Sequence, residues 1–238
     1  PDRKDPELLR LLAGKRSKSG IIYCATRKKV ESVAQLLKDN GYRATRYHAG
    51  LEEEERTANQ EDFIHDRQTV MVATNAFGMG IDKSNVSFVI HYNMPKSIEA
   101  YYQEAGRAGR DGTEAECILL YNASDVTTAK FLIENSSDNE ELDEAERELI
   151  RQQDLERLAM MVGYCKTKDC LRGYILDYFG QKHPQNCGNC GNRLALVVDQ
   201  TVSQDLVVGH HAEDVIADIL CGHYGSRYIL PFMAYGEV

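Results

Sequence analysis

The sequence has no long apolar run, few cysteines and no excess of positive charge. Its 238 residues contain no hydrophobic stretch of about 20 residues, the length that spans a bilayer. The chain starts with the charged residues Asp2, Arg3, Lys4 and Asp5, where a signal peptide would be apolar. We therefore expect a soluble, intracellular protein that has no membrane partner. Its expected location is the cytoplasm and nucleoid, or a nucleus.

Seven cysteines are too sparse in a chain of this length for a disulfide scaffold, so we expect reduced thiols. The closest pair, Cys187 and Cys190, has the spacing of metal ligands. The net charge of −9 excludes a uniformly basic surface for nucleic acid. Contacts with phosphates must therefore be local, although acidity alone does not exclude DNA.

A phosphate-binding loop of the type Gly-x-x-x-x-Gly-Lys-Ser/Thr is also absent from the sequence. Lys15-Arg16-Ser17 after Gly14 resembles the end of such a loop, but the earlier glycine and a preceding strand are missing. We therefore do not interpret Lys15-Arg16-Ser17 as a phosphate-binding loop.

An alternation of strands and helices fills residues 1–135. Apolar runs predict strands at 21–24, 42–47, 69–73, 86–91 and 116–121. Amphipathic spacing predicts helices at 5–12, with Asp5 as N-cap, and at 30–39, 52–65, 97–105 and 124–134. Strands separated by helices imply parallel pairing with helices on both faces. We predict a doubly wound α/β domain.

Past residue 135 the pattern becomes helical. Helices are predicted at 142–164 and 169–180, and the first carries an apolar stripe of Leu149, Leu155, Leu158, Met161 and Val162. We expect a small helical domain at 136–193 and a separate tail at 194–238, with an amphipathic helix at 214–220.

Polar side chains follow the first three predicted strands. Thr26 and Arg27 follow the first, His48 the second, and Thr74 and Asn75 the third. Hydroxyl groups, a basic residue and backbone amides at one sheet edge can hold successive phosphates of a single strand. The alternative is that both threonines are helix caps and the histidine is an ordinary turn residue.

The stretch 101–112 reads Tyr-Tyr-Gln-Glu-Ala-Gly-Arg-Ala-Gly-Arg-Asp-Gly. Arg107 and Arg110 are three residues apart, so in a helical turn both guanidinium groups leave one face. Arginine donates bidentately to phosphate oxygens and stays charged, which suits a polyphosphate. The alternative is a surface turn in which the arginines pair with Glu104 and Asp111.

Two stretches together resemble a known family. Residues 73–83 read Ala-Thr-Asn-Ala-Phe-Gly-Met-Gly-Ile-Asp-Lys, and with 103–112 they resemble motifs V and VI of the RecQ-type superfamily 2 DNA helicases. The resemblance is dense over 20–135 and extends by pattern over 136–192. It implies a second RecA-like lobe, a helical zinc-binding domain and the start of a winged-helix DNA-binding domain.

The resemblance implies the carboxyl-terminal portion of an ATP-dependent DNA helicase that moves 3′ to 5′. Arg110 would be the arginine finger with Arg107 beside it, and the face toward a missing amino-terminal ATP-binding lobe would contain Gly80, Asp82 and Gln103. The residues after the strands would contact single-stranded or forked DNA. ATP with Mg²⁺ would be bound mainly by the missing lobe, so this chain alone would be inactive. The alternatives are an RNA helicase of the same superfamily, or a non-catalytic module that binds DNA or docks to a protein.

The resemblance also implies a four-cysteine zinc site, of which Cys170, Cys187 and Cys190 match three positions. The fourth is expected three residues after Cys190, where this chain has Arg193. Arginine does not ligate at neutral pH, so weaker zinc binding is expected.

Two other residues are candidates for the fourth ligand. Cys165 would need a helix break before Cys170, and His183, in the loop that follows, is the better candidate. The alternative is that the thiols are reduced and hold no metal.

Overall fold

The computed structural model describes residues 4–78, 83–135, 143–183, 187, 190 and, as backbone, 206–211. In chain order the elements are α1 (Lys4–Leu12), β1 (Gly20–Tyr23), α2 (Arg27–Asp39), β2 (Ala44–Tyr47), α3 (Glu53–Ile64), β3 (Val70–Ala73), β4 (Phe88–His91), α4 (Ile98–Ala105), β5 (Glu116–Tyr121), α5 (Ala123–Glu134), α6 (Glu144–Lys166), α7 (Leu171–Tyr178) and β6 (Leu206–His211).

The strands form one sheet in the order β2-β3-β1-β4-β5-β6, and β1 to β5 are parallel. In the register of the sheet, Ala73 at the end of β3 is the Cα partner of both Tyr47 and Tyr23. The predicted doubly wound α/β class is therefore confirmed, and β1, β2 and β3 end at the same level.

Both faces of the sheet are covered by helices. Ile22 and Val72 pack with residues of α1 and α2 on one face. Ile21 and Met71 pack with residues of α3 to α7 on the other. Side chains of β1 and β3 are consequently buried on both sides, which explains why these strands read as unbroken apolar runs. Helices α6 and α7 share the core of the second face, so the helical region is docked on the sheet.

The edge strand β6 pairs antiparallel with β5. No strand was predicted in this segment, which the family resemblance had assigned to the start of a winged-helix domain. The available signal was Leu206-Val207-Val208, because β-branched apolar residues favour strands. The predicted helix at 214–220 lies outside the described residues.

The first helix already includes Lys4, so the prediction of Asp5 as N-cap was wrong. Asp5 Oδ1 instead accepts a hydrogen bond from the Tyr92 hydroxyl at 2.6 Å. The buried Lys4 Nζ donates to the carbonyl oxygens of Tyr92 (2.8 Å) and Leu120 (2.7 Å) and to Asp125 Oδ2 (2.7 Å). A buried ammonium needs such partners, and these three fix Lys4 to the sheet and to α5.

The predicted apolar stripe of α6 is only partly confirmed. Leu158 and Met161 are buried, and Leu155 and Val162 pack partly against the core. Leu149, however, is 59% exposed. It lies in the first part of α6, residues 144–153, which is exposed throughout. Within the described ranges, no helix combines the length and apolar character needed to cross a membrane.

Candidate functional site

Three of the predicted site residues lie at one edge of the sheet. β2, β3 and β1 are neighbours, and their last residues are Cα partners. Thr26, His48 and Thr74 follow these ends within three residues. Ligands of open α/β domains bind outside this edge, so the structure places these residues where a shared ligand is expected.

Thr26 is the N-cap of α2, and its hydroxyl accepts from the Lys29 amide at 3.2 Å. The cap uses the oxygen as acceptor and leaves the hydroxyl proton able to donate to a phosphate oxygen. Arg27 is exposed and crosses Gly50, where an added Cβ would lie 3.1 Å from Arg27 Cδ and Nη1. An exposed cation therefore lies against the loop after β2.

His48 is buried, and both of its ring nitrogens are engaged. The Gly50 amide donates to Nδ1 at 3.1 Å, so the ring proton is on Nε2, which donates to Glu31 Oε1 at 2.8 Å. The same Glu31 oxygen pairs with Arg46 Nε at 2.8 Å. His48 thus braces β2 and the following loop against α2.

The loop after β3 begins with a tight turn. The Thr74 amide donates to the Tyr47 carbonyl oxygen at 3.2 Å, and the Phe77 amide donates to the Thr74 carbonyl oxygen at 3.0 Å. Phe77 is buried beneath the loop, as predicted, with ring contacts to Tyr47 and Phe63. Asn75 is therefore exposed on a loop that Phe77 fixes from below.

The far end of the same loop is anchored by Lys83. Its buried Nζ donates to the Ile64 carbonyl oxygen at 3.2 Å and to Asp66 Oδ1 at 2.8 Å, and lies 5.1 Å from the Phe63 ring centroid. The Lys83 ammonium holds the pKa of the Asp66 carboxyl below its usual range. Both ends of the segment 74–83 are thus fixed to the sheet domain.

The arginine-bearing turn follows α4 and is fixed at two points. Ser97 caps the helix by accepting from the Ala100 amide at 3.2 Å, and Gly106 is its C-cap. Gly109 has φ +68°, a left-handed conformation that favours glycine, and its amide donates to the Val86 carbonyl oxygen at 2.9 Å. The turn is therefore held against the segment that leads into β4.

Left-handed Gly109 lies between the two arginines of the turn, and the two side chains differ in exposure. Arg110 is exposed, and its Nε donates to a backbone carbonyl oxygen of the turn at 3.1 Å. Arg107 is half-buried over Gly78, where an added Cβ would overlap Arg107 Nη2. Gln103 is exposed on α4.

A buried polar group beneath this turn was missed by the sequence analysis. His91 Nε2 lies 2.8 Å from Glu104 Oε2, and the His91 ring stacks on Tyr23 with centroids 5.4 Å apart. The Tyr23 hydroxyl donates to the Phe77 carbonyl oxygen at 3.1 Å. Burial raises the pKa of Tyr23, and the nearby Arg107 guanidinium opposes that rise. The available signal was a histidine ending an otherwise apolar strand.

Three cysteines come together at the start of α7. The Sγ atoms of Cys170, Cys187 and Cys190 all lie within 4.8 Å of one another. Burial opposes ionisation of Cys170, but the amides of Gly173 and Cys187 each donate to its Sγ at 3.4 Å and hold its pKa below the usual range. Thiolates at this separation suit tetrahedral zinc, whose bonds to sulfur are about 2.3 Å.

Comparison with known proteins identifies two consecutive family matches. Residues 3–112 match the helicase conserved C-terminal domain, and residues 123–194 match the RecQ zinc-binding domain. The "ATP-dependent DNA helicase RecQ" of Bacillus subtilis is 49% identical over 191 residues, which cover 80% of this chain and 31% of that protein. This chain belongs to the RecQ helicase family.

A second relative matches over a similar share of this chain. The "ATP-dependent DNA helicase hus2/rqh1" of Schizosaccharomyces pombe is 44% identical over 74% of this chain and 13% of that protein. A solved DEAD box protein from Methanococcus jannaschii is 26% identical, with a TM-score of 0.48, over 56% of this chain and 36% of that chain. The assignment rests on the sequence matches, and the chain spans about a third or less of the two helicases from Bacillus subtilis and Schizosaccharomyces pombe.

The fourth ligand of the RecQ zinc site is not supplied by either candidate in the described residues. A helix break does separate Cys165 from Cys170, but Cys165 stays outside the cysteine group, and burial raises its pKa to about 12. His183 Nε2 lies 3.1 Å from Asp177 Oδ1 and is also outside the group. Arg193 lies outside the described residues, as do the predicted site residues Gly80 and Asp82.

Proposed function

We propose that this chain is the part of an ATP-dependent DNA helicase that contacts DNA and supplies the catalytic arginines. One observation carries the proposal: the loop after β3 begins at the strand-end edge with Thr74 and continues to Gly78, which lies beneath Arg107. A single short segment therefore connects the DNA-facing edge to the arginine turn. The RecQ family assignment supports the same division of roles.

In this proposal the exposed Arg110 is the arginine finger that contacts the γ-phosphate, and Arg107 lies beside it. Gln103, Gly80 and Asp82 line the surface that faces the ATP-binding lobe. A guanidinium stabilises charge on a transferring phosphoryl group and donates two parallel hydrogen bonds to its oxygens. ATP between two lobes favours closure only through contacts made in the closed state, and in this proposal the two arginines supply them.

Single-stranded DNA, including the unpaired arm of a fork, is proposed to lie along the edge formed by Thr26, Arg27, His48, Thr74 and Asn75, with movement 3′ to 5′. Two hydroxyls and an exposed arginine suit backbone phosphates. The buried His48 acts by ordering the loop that carries Gly50. Because few phosphates are contacted on a protein of net charge −9, binding is expected to be weak and to weaken further as salt is raised.

ATP and Mg²⁺ are proposed to bind mainly on a lobe outside this chain, since the sequence has no phosphate-binding loop. The purified chain is expected to hydrolyse no ATP above background, with or without single-stranded DNA. Joining it to an ATP-binding lobe is expected to produce DNA-stimulated hydrolysis. Magnesium-dependent turnover by the chain alone would overturn this division.

ATPase assays of the same joined protein distinguish DNA from RNA as the nucleic acid on which it acts. Stimulation of its ATPase by single-stranded DNA but not by RNA of the same sequence supports the DNA helicase. Equal or stronger stimulation by RNA points to the RNA helicase alternative. DNA binding without hydrolysis under any condition points to a non-catalytic binding or docking module.

The residues of the cysteine group fit zinc with three thiolates. Cys170, Cys187 and Cys190 hold the metal in this proposal, and zinc supplies a structural cross-link when bound. The cross-link joins the first turn of α7 to the segment containing the other two cysteines. The match of residues 123–194 to the RecQ zinc-binding domain supports this role.

A further inference from the structure

The carboxyl end of α7 contacts the first turn of α4. The Tyr178 hydroxyl donates to Glu99 Oε1 at 2.6 Å, across 79 residues of sequence. Arg157 Nε of α6 lies 3.9 Å from the same oxygen. Glu99 is therefore held by two side chains of the helical region, and a short hydrogen bond to a carboxylate is among the stronger polar contacts in proteins.

Aromatic contacts extend the same junction along α4. The Phe179 ring meets Tyr102 edge to face, with centroids 5.5 Å apart. Tyr164 of α6 meets Tyr101 at 5.2 Å. Glu99 and Tyr102 are three residues apart and lie on one helix face, so α7 contacts α4 over a full turn.

The helix α4 leads directly into the arginine turn. It has only eight residues and ends one residue before Gly106, so a tilt of its axis moves Arg107 and Arg110. Its opposite side is held by the sheet, through buried Ile98 and the pair of His91 with Glu104. The orientation of α4 is thus set by the sheet on one side and by α7 on the other.

We propose that Tyr178 is a positioning residue for ATP hydrolysis, acting through its hydrogen bond to Glu99 on the helix that carries the arginine turn. This proposal rests on the proposed function, because Arg110 must act on ATP for its position to matter. It assigns to the helical region a direct mechanical role in catalysis. Cys170 caps the start of the same short helix, so the cysteine group and the arginine turn are linked through α7.

The test compares Tyr178→Phe with Tyr174→Phe in the chain joined to an ATP-binding lobe. Tyr178→Phe removes only the hydroxyl and keeps the ring against Phe179. The Tyr174 hydroxyl donates to the Met160 carbonyl oxygen at 3.0 Å, within the helical region, so Tyr174→Phe is the matched control. We expect kcat to fall about fivefold to tenfold in Tyr178→Phe, with the KM for ATP within about twofold, and no such fall in the control.

Substitutions of the acceptor separate positioning from packing. Glu99→Gln keeps an oxygen that accepts from Tyr178 and is expected to retain most of the rate. Glu99→Ala also removes the contact with Arg157, so kcat is expected to fall at least as far as in Tyr178→Phe. Adding Tyr178→Phe to Glu99→Ala is expected to lower kcat no further, because the hydroxyl then has no acceptor to lose. Additive losses would contradict the proposal.

Hydrogen exchange on the chain alone provides a readout that does not need ATP. Amides of residues 98–110 are expected to exchange at least about threefold faster in Tyr178→Phe than in the wild type or in Tyr174→Phe. If the joined protein never hydrolyses ATP, the proposed function fails, while exchange still reports whether Tyr178 holds α4. Unchanged exchange, an unchanged kcat in Tyr178→Phe, or an equal kcat loss in both tyrosine variants overturns the proposal.

Discussion

Gly78 lies directly beneath the Arg107 guanidinium, where a methyl group would overlap Arg107 Nη2. The atom that must move is the end of a flexible side chain, so Gly78→Ala is expected to cost less than about 1 kcal/mol of stability. The displaced Arg107 is expected to lower DNA-stimulated ATP turnover about tenfold in the joined protein. Thermal unfolding and steady-state ATPase assays measure the two effects separately.

Gly20 is the matched control for this prediction. A Cβ there would overlap the buried Phe88 ring, which has no free direction in which to move. Gly20→Ala is therefore expected to destabilise the fold by about 2 kcal/mol. The position of Arg107 over Gly78 would be wrong if Gly78→Ala lost as much stability as Gly20→Ala. It would also be wrong if Gly78→Ala kept full ATPase activity.

The pair of Lys83 and Asp66 predicts a dependence of stability on pH. The pKa of Asp66 is lower in the folded protein than in the unfolded chain, because Lys83 donates to the carboxylate. Its contribution to stability is therefore complete above about pH 5 and is lost as the pH falls through about 4. The carboxylate is 51% exposed, so screening limits the effect to about 0.5 kcal/mol.

Asp66→Asn removes the charge and suits the left-handed backbone at this position, where φ is +57°. Urea unfolding at pH 7 and pH 3.5 is expected to show a smaller loss of stability on acidification in Asp66→Asn than in the wild type. An identical pH dependence of the two proteins would argue against the pair.

At the scale of elements, one buried charged side chain joins α1 to its neighbours. Lys4 donates one hydrogen bond to the end of β4, one to the end of β5 and a third to Asp125 of α5. Lys4→Met is expected to destabilise the protein by about 3 kcal/mol, because it leaves Asp125 buried without its cation. Arg10→Ala, which breaks an exposed pair with Glu7, is expected to cost less than about 0.5 kcal/mol. Equal costs in urea unfolding would contradict this account of α1.

The stability of the helical region that contains α7 is expected to depend on whether zinc at the cysteine group has a fourth ligand. Arg193→Cys is expected to raise the zinc content per chain and the melting temperature together, because metal binding there contributes folding free energy. Elemental analysis and thermal unfolding without chelator measure both. A wild-type chain that folds with only a small fraction of an equivalent of zinc would contradict the zinc site. If neither the zinc content nor the melting temperature changed in Arg193→Cys, Arg193 would lie away from the zinc site.

Local patterns predicted the five parallel strands and the helices between them, because strand and helix periodicities are properties of short segments. They did not predict contacts that depend on distant residues. The exposure of Leu149 depends on what covers α6, and the burial of Lys4 depends on its reaching Asp125. Similarly, the order of residues alone does not specify that Gly109 is left-handed.

At the scale of the whole molecule, the sheet and the helical region form one packed body. Residues of β1, β3, α4, α6 and α7 share a continuous apolar cluster. The strand-end edge, the arginine turn and the cysteine group are consequently fixed relative to one another. Short, packed segments connect the strand-end edge and α7 to the arginine turn.

The most direct test of the central claim is ATP turnover by Arg110→Ala in the chain joined to an ATP-binding lobe. Arg110 is exposed, and its Nε donates to a backbone carbonyl oxygen of its own turn, so folding and the affinity for single-stranded DNA are expected to stay within about twofold of the wild type. DNA-stimulated kcat is expected to fall about 1,000-fold, the usual effect of losing an arginine finger. Turnover within about twofold of the wild type would contradict the account.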